Sequence, residues 1–173
     1  DVVVRPGSRS TPLALAFAQE PRIRKHIVLD ERVAAFFALG QARVSGRPSA
    51  LLCTSGTAGA HYLPAVIEAA QSHVPMLIVT ADRPWEDYDC AAAQTIDQLK
   101  LFGNFARHYA ELGLPDPAPS ALRAVVRIAA QAVHTARTPV PGPVHVNARF
   151  RKPLDPMEHA SEEPWNRLVN QLI

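Results

Sequence analysis

The chain has 173 residues, 47% hydrophobic and 20% charged, which suits a soluble globular fold and argues against disorder. A formal net charge of +2, with the basic residues scattered, gives no footprint for nucleic acid. No apolar run approaches the ~20 residues of a membrane span, and two cysteines are too few for a disulfide framework. No basic, cleavable apolar segment opens the chain, so a cytoplasmic location is expected.

Asp1 to Val4 reads as a strand by its β-branched run, and a helix preceding it in the natural protein is expected. Arg5 to Ser10 is a tight loop. Ser10 is expected to cap a helix carrying Pro12 in its first turn and Leu13, Leu15 and Phe17 as apolar positions. Residues 25–29 form a second strand, which stops at Asp30-Glu31. Asp30 is a good N-cap for a helix over 31–45, and an acid in the first turn also suits the helix dipole. Capping alone would therefore account for both acids.

Ser49 to Thr54 is a third strand, apolar without alternation as in buried parallel sheets. The loop 54–57 leads to a helix expected from about Ala58 to Ser72, and Met76 to Thr80 is a fourth strand. Residues 81–94 look irregular, with Glu86, Asp87 and Asp89 read as a solvated loop. A short helix is expected over Thr95 to Leu101 and a strand over Ala106 to Leu112. After a proline-rich connection, Ser120 is expected to cap an amphipathic helix whose stripe is Leu122, Val125, Val126, Ala129, Val133 and Ala136. Val144 to Asn147 is the last strand. The expected organisation is one domain over 1–150, followed over 151–173 by an exit linker and a short helix at 164–173.

Alternating strands and helices predict a three-layer α/β/α domain with a mainly parallel sheet. Every strand-to-helix loop in such a sheet opens on one edge. Ser8, Arg9, Glu31, Thr54, Ser55, Thr57 and Arg83 would therefore converge there, at the carboxyl ends where open α/β folds bind ligands. Two arginines near helix N-termini suit an anionic ligand, although each alone could be a surface ion pair.

Common catalytic signatures are missing. There is no phosphate loop, and Gly56 to Gly59 is only a fragment of a dinucleotide fingerprint. Ser55 lacks a nucleophile elbow, the histidines show no metal spacing, and no metal ligands are assigned.

Six segments in order carry a resemblance. They are Pro6-Gly7-Ser8-Arg9-Ser10-Thr11-Pro12-Leu13, Asp30-Glu31-Arg32 with Phe36 to Gly40, and Cys53 to Ala58. The others are Leu63 to Val66, Thr80 to Pro84, and Gln94 to Gln98. Together they resemble the N-terminal pyrimidine-binding domain of the 2-succinyl-5-enolpyruvyl-6-hydroxy-3-cyclohexene-1-carboxylate synthase family, from residue 1 to about residue 155.

The resemblance implies a thiamine diphosphate-binding (PYR-type) fold. It also implies an enzyme that uses thiamine diphosphate and magnesium to decarboxylate 2-oxoglutarate and add the succinyl unit to isochorismate in menaquinone biosynthesis. Glu31 matches the catalytic acid that bonds the aminopyrimidine N1′, with Gly7, Thr54 and Ser55 also at the cofactor. Ser8, Arg9, Arg83 and Gln94 match positions on the substrate side. Departures are Arg5 where serine is expected, and Ala92-Ala93 before the glutamine.

The chain contains no Gly-Asp dipeptide, so the family's diphosphate–magnesium domain is absent from it. It is expected to supply half a site, inactive alone, to need that missing domain as partner, and to form a homo-oligomer, most simply a homodimer through helices near 31–45 and 58–72. Two other readings stay open: a non-catalytic anion-binding or regulatory module, and an assembly domain.

Overall fold

The computed structural model describes residues 1–156. Six parallel strands form one sheet in the order β2-β1-β3-β4-β6-β5. They are β1 (Val2–Val4), β2 (Lys25–Ile27), β3 (Ser49–Cys53), β4 (Met76–Asp82), β5 (Tyr109–Glu111) and β6 (Pro143–Arg149). Four helices cover it: α1 (Thr11–Gln19), α2 (Glu31–Ser45), α3 (Leu63–Gln71) and α4 (Pro119–Arg137).

Alternation along the strands sorts the core onto two faces. Val3, Leu51, Cys53, Met76 and Ile78 pack under α2 and α3 with Phe102. Val2, Val4, Leu52 and Val79 meet Leu13, Ala14 and Phe17 of α1, while Val144 and Val146 meet Ala132 and Ala136 of α4. The three-layer parallel α/β/α architecture read from the sequence is therefore present.

Helix ends follow local chemistry. The Asp30 carboxylate accepts from the backbone N–H of Arg32 (2.9 Å) and Val33 (3.2 Å), and Gly46 closes α2 in the left-handed region at φ 65°. The Arg32 side chain, and then those N–H donors, hold the Asp30 carboxyl well below the usual carboxylate range.

Several expectations need correction. The segment after β3 is a 3-10 helix over Gly56–Tyr62, and α3 begins only at Leu63. Pro64 has no N–H and tolerates only the first turn, so the α-helix starts there. Ser10 precedes α1 but its hydroxyl donates to Gly7 O (2.9 Å) instead of capping. The N-cap of α4 is Ala118, not Ser120, with Pro119 in the first turn. Of the α4 stripe, only Ala136 is buried, joined by Ala132, and Val125, Val126 and Val133 remain exposed.

No helix forms over Thr95 to Leu101. Asp97 accepts from Leu99 N in a local turn, and Lys100 takes a left-handed φ of 50°, which an α-helix through this segment could not hold. β4 runs on to Asp82, and β6 extends to Arg149. The helix expected over 164–173 lies outside the described residues.

The sheet has a polar seam at its β4–β6 contact. The Thr80 hydroxyl donates to Asn147 Oδ1 (2.7 Å), so it accepts from His145 Nε2 (2.8 Å), which fixes the Nε2–H tautomer. His145 is fully enclosed between Phe102 and Tyr109, and burial pushes its pKa down to about 4.

Between the unfolded value near 6.5 and about 4, the unfolded chain takes up this proton and the folded chain does not. Stability carried by His145 is thus present above pH 6.5 and drains away as pH falls through that window, by roughly 3 kcal/mol in all. Urea unfolding at pH 7 and pH 4.5 should show this loss in the parent chain and much less of it in His145→Gln. Equal losses in both would assign the acid sensitivity elsewhere.

Candidate functional site

The chain leaves β1 for β2 on one side of the sheet and returns to β3 on the other. That reversal opens a crevice at the carboxyl ends of β1 and β3, the usual ligand position in open parallel sheets. Four loops line this edge in the order of their strands: Asp30-Glu31 after β2, Pro6 to Ser10 after β1, Thr54 to Thr57 after β3, and Arg83-Pro84 after β4. Three strand spacings separate the first from the last, about 14 Å at ~4.8 Å each.

Glu31 stands at one end, in the first turn of α2. Its carboxylate is 16% exposed and meets the Arg5 Nε at 2.8 Å. Asp30 is engaged in capping and with Arg32, so the two acids have separate jobs.

The middle of the edge is tightly built. A Cβ added to Gly7 would fall 2.4 Å from Thr54 Cβ, so only glycine lets the β1 and β3 loops touch. Gly56 has φ +81°, and a Cβ there would sit 3.2 Å from Gln94 O. Thr54 and Ser55 are buried, and Ser55 Oγ has no partner among the described residues. A buried hydroxyl left unpaired is costly unless a ligand completes it. Cys53 beneath them is inert, because burial pushes its thiol up to about 12.

The far end is cationic. Arg9 is only 3% exposed, donates from Nη1 to Phe150 O (2.6 Å), and leaves Nε unpartnered among the described residues. Arg83 Nε is likewise buried without a partner, and its Nη1 lies 3.7 Å from Asp87. Burial first, then the Arg83 charge, lowers the pKa of Arg9 below the ordinary arginine value. Two neighbouring guanidinium groups, each with an unpartnered N–H, have the chemistry to pair with a carboxylate or phosphate.

The structure thus brings Arg9 and Arg83 together and sets Glu31 apart, with Gly7, Thr54 and Ser55 between. Ser8 and Gln94 are exposed beside this row, and Gln94 adopts a left-handed φ of 52°. The acids after β4 are not simply solvated, since Asp87 faces Arg83 and Glu86 pairs with Arg151.

Sequence reading missed the residues beneath this edge. Arg149 and Asp82, both fully buried, pair at 3.1 Å, and Arg149 Nη1 also donates to Arg83 O (2.8 Å). Asp82 accepts from Arg83 N (2.7 Å), Tyr88 Oη (2.8 Å) and Asn147 Nδ2 (2.8 Å). The Arg149 guanidinium stacks 3.5 Å from the Trp85 ring centroid. Gln98 spans the other direction: its Oε1 accepts from Gly56 N (2.8 Å) while its Nε2 donates to Asn147 Oδ1 (3.0 Å) and Ala81 O (3.2 Å). No periodicity announces the long-range contacts, whose partners lie 42 to 66 residues apart. The available signal was the Gln94 to Gln98 segment of the resemblance, which contains Gln98 without giving it a role.

The cavities do not single out this edge. An open hollow of about 410 Å³ lies at the opposite edge, lined by Ala42, Gly46, His73, Pro75 and Thr138. Idle polar groups, not an enclosed volume, mark the carboxyl edge, as a surface awaiting a second wall would show. No cluster of metal ligands occurs among the described residues.

A parallel sheet with a carboxylate and two guanidinium groups along its switch-point edge is the arrangement of an open α/β domain of the kind that binds ligands there. Residues 1–101 match the family described as thiamine pyrophosphate enzyme, N-terminal TPP binding domain, and the chain belongs to that family. Among its relatives is a 2-succinyl-5-enolpyruvyl-6-hydroxy-3-cyclohexene-1-carboxylate synthase of Sorangium cellulosum, 68% identical over 165 residues, which are 95% of this chain and 27% of the relative. Proteins of the same name from Geobacillus kaustophilus and Haloarcula marismortui are each 53% identical, over 97% and 94% of this chain and 29% and 28% of their own lengths. The chain therefore spans little more than a quarter of these relatives.

Gln98 should be a sensitive residue beneath the edge, although no ligand touches it. Gln98→Ala strands the Gly56 N–H and should cost about 1–3 kcal/mol in urea unfolding. A loss under 0.5 kcal/mol, on the order of a neutral surface change, would show that loop 54–57 does not depend on it.

Proposed function

We propose that this chain is the pyrimidine-binding domain of a 2-succinyl-5-enolpyruvyl-6-hydroxy-3-cyclohexene-1-carboxylate synthase, acting in the cytoplasm in menaquinone biosynthesis. Residues 1–150 are the domain and 151–173 its exit linker. The whole enzyme decarboxylates 2-oxoglutarate and adds the succinyl unit to isochorismate. Support comes from the relatives, and above all from Glu31 standing on the same edge as the Arg9–Arg83 pair.

Thiamine diphosphate, when bound, supplies the carbanion-stabilising chemistry. Ser55 Oγ, the Glu31 carboxylate and the close Gly7–Thr54 contact fit its pyrimidine end. Glu31 would hold a proton at the ring nitrogen N1′, a role glutamine cannot take because an amide does not exchange a proton in that way. Arg9 and Arg83 would bind substrate carboxylates, with Ser8 and Gln94 orienting hydroxyl or carboxylate groups. Among the described residues no cluster of metal ligands is present to hold magnesium with a diphosphate. Those belong to a further domain of the same enzyme, which this reading makes an obligate partner.

The outer face of α2 and the β2 edge support assembly. Leu29 (77%), Val33 (58%) and Phe36 (51%) are exposed there, with Ile27 and Phe37 beside them. A patch of large apolar side chains of this kind marks an interface. None of the strongly exposed large apolar side chains among the described residues lies on α3, so support for a homodimer falls on α2. A regulatory anion-binding module is the second reading, and the Arg9–Arg83 pair alone would serve it.

In the complete enzyme, Glu31→Gln should abolish turnover, whereas Arg83→Ala should mainly raise KM for the acceptor, by roughly 10- to 100-fold for a lost charge-assisted contact. Full activity in Glu31→Gln would remove the assigned role. Calorimetry should find feeble thiamine diphosphate binding by this chain with magnesium, and recovered binding when the remainder of the enzyme is added. Tight binding by the chain alone would contradict the half-site reading. Light scattering should show self-association, and a strict monomer at high concentration would count against the α2 interface.

A further inference from the structure

Arg5 ends β1 and crosses to the neighbouring β2 loop. Its Nε lies 2.8 Å from Glu31 Oε1 and 3.2 Å from Leu29 O, and its Nη1 donates to Pro6 O at 2.5 Å. The side chains are partly sheltered, 32% and 16% exposed. The other nearby cation, Arg32, is spent on Asp30 through Nε (3.1 Å) and Nη2 (2.6 Å). Among the described residues, Arg5 is therefore the group that forms an ion pair with the acid of the candidate site.

We propose that Arg5 is a positioning residue that latches Glu31 in the empty site and is displaced when an aminopyrimidine ring takes its place. This rests on the reading of Glu31 as the cofactor's acid. A ring nitrogen bonded to a carboxylate through one proton needs an open approach to a carboxylate oxygen, and the Arg5 guanidinium, its Nε 2.8 Å from Oε1 with the Nε–H given to Leu29 O, stands in that approach. The cation and the ring compete for the Glu31 carboxylate. Arg5 is held besides by two backbone carbonyls, Leu29 O and Pro6 O, which remain available when Glu31 is taken away. The arm can thus keep both hydrogen bonds while giving up its ion pair with Glu31, and this keeps the exchange cheap. In return the latch fixes the Glu31 rotamer before the ligand arrives and denies the acid to other cations.

Competition predicts that weakening the latch strengthens cofactor binding. A partly exposed ion pair contributes on the order of 1 kcal/mol or less, so the gain should reach about fivefold at most. The test is calorimetric affinity for thiamine diphosphate with magnesium, measured on the complete enzyme and on Arg5→Gln, Glu31→Gln and the double variant. Arg5→Gln removes the charge but keeps N–H donors for Leu29 O, and should bind about two- to fivefold more tightly than the parent. In the Glu31→Gln background the same change at Arg5 should leave affinity unaltered. Arg5→Ser, which deletes the arm, is read the same way should Arg5→Gln fail to fold.

Weaker binding by Arg5→Gln, or an equal change in both backgrounds, would overturn the latch and make Arg5 a scaffold residue only. If Glu31→Gln instead keeps both parental affinity and full turnover, the assignment of Glu31 fails and the latch falls with it. The two failures are therefore distinguishable.

Discussion

A buried ion pair governs this edge of the molecule. Arg149 and Asp82 sit at the carboxyl ends of adjacent strands, both without solvent contact. Charges in that position are best tolerated when the remaining donors and acceptors find partners. Asp82 meets this with Arg83 N, Tyr88 and Asn147, whereas Arg149 donates to Arg83 O and sets its charge against Asp82, Glu111 and the Trp85 face, with Nε and Nη2 left without a hydrogen-bond partner among the described residues. The pair is consequently less a source of net stability than a constraint. It fixes where β4 ends, how the backbone turns at Arg83, and where that guanidinium begins its reach.

From this constraint the site follows by topology. Gln98 and Asn147 carry the polar network from Asp82 to Gly56, and Gly7 is packed against Thr54 in the next loop. Three loops are thereby held in register without any ligand, and Arg5 ties in the fourth through Leu29 O and Glu31. What they present is incomplete: idle N–H groups at Arg9 and Arg83, an idle hydroxyl at Ser55, and a carboxylate at Glu31 tied to Arg5. Buried polar groups left unpaired are expensive. Their concentration along one edge fits a surface completed by a bound molecule and by the further domain proposed above.

Much of this was legible in the sequence. Short apolar runs without alternation announce buried parallel strands, and Asp30 before an apolar helix announces its own cap. Once the sheet is known to be parallel, the convergence of Arg9, Glu31, Ser55 and Arg83 on one edge follows from connectivity alone. What stayed hidden depends on tertiary neighbours. Gln98 reads as a helical position until its side chain is needed by Gly56, 42 residues away. Arg5 reads as a loop residue until β1 and β2 lie side by side and place Glu31 within reach. Proline is the exception, because Pro64 carries its effect locally and could have set the start of α3 in advance.

The central claim is that Glu31 is the acid facing the cofactor's aminopyrimidine. A crystal structure of the complete enzyme with thiamine diphosphate and magnesium tests it most directly. The account predicts a Glu31 carboxylate oxygen within hydrogen-bond distance of N1′, about 2.6–3.0 Å, with the ring against the Thr54-Ser55 loop. A ring seated elsewhere, or an acid from another part of the chain at N1′, would contradict it.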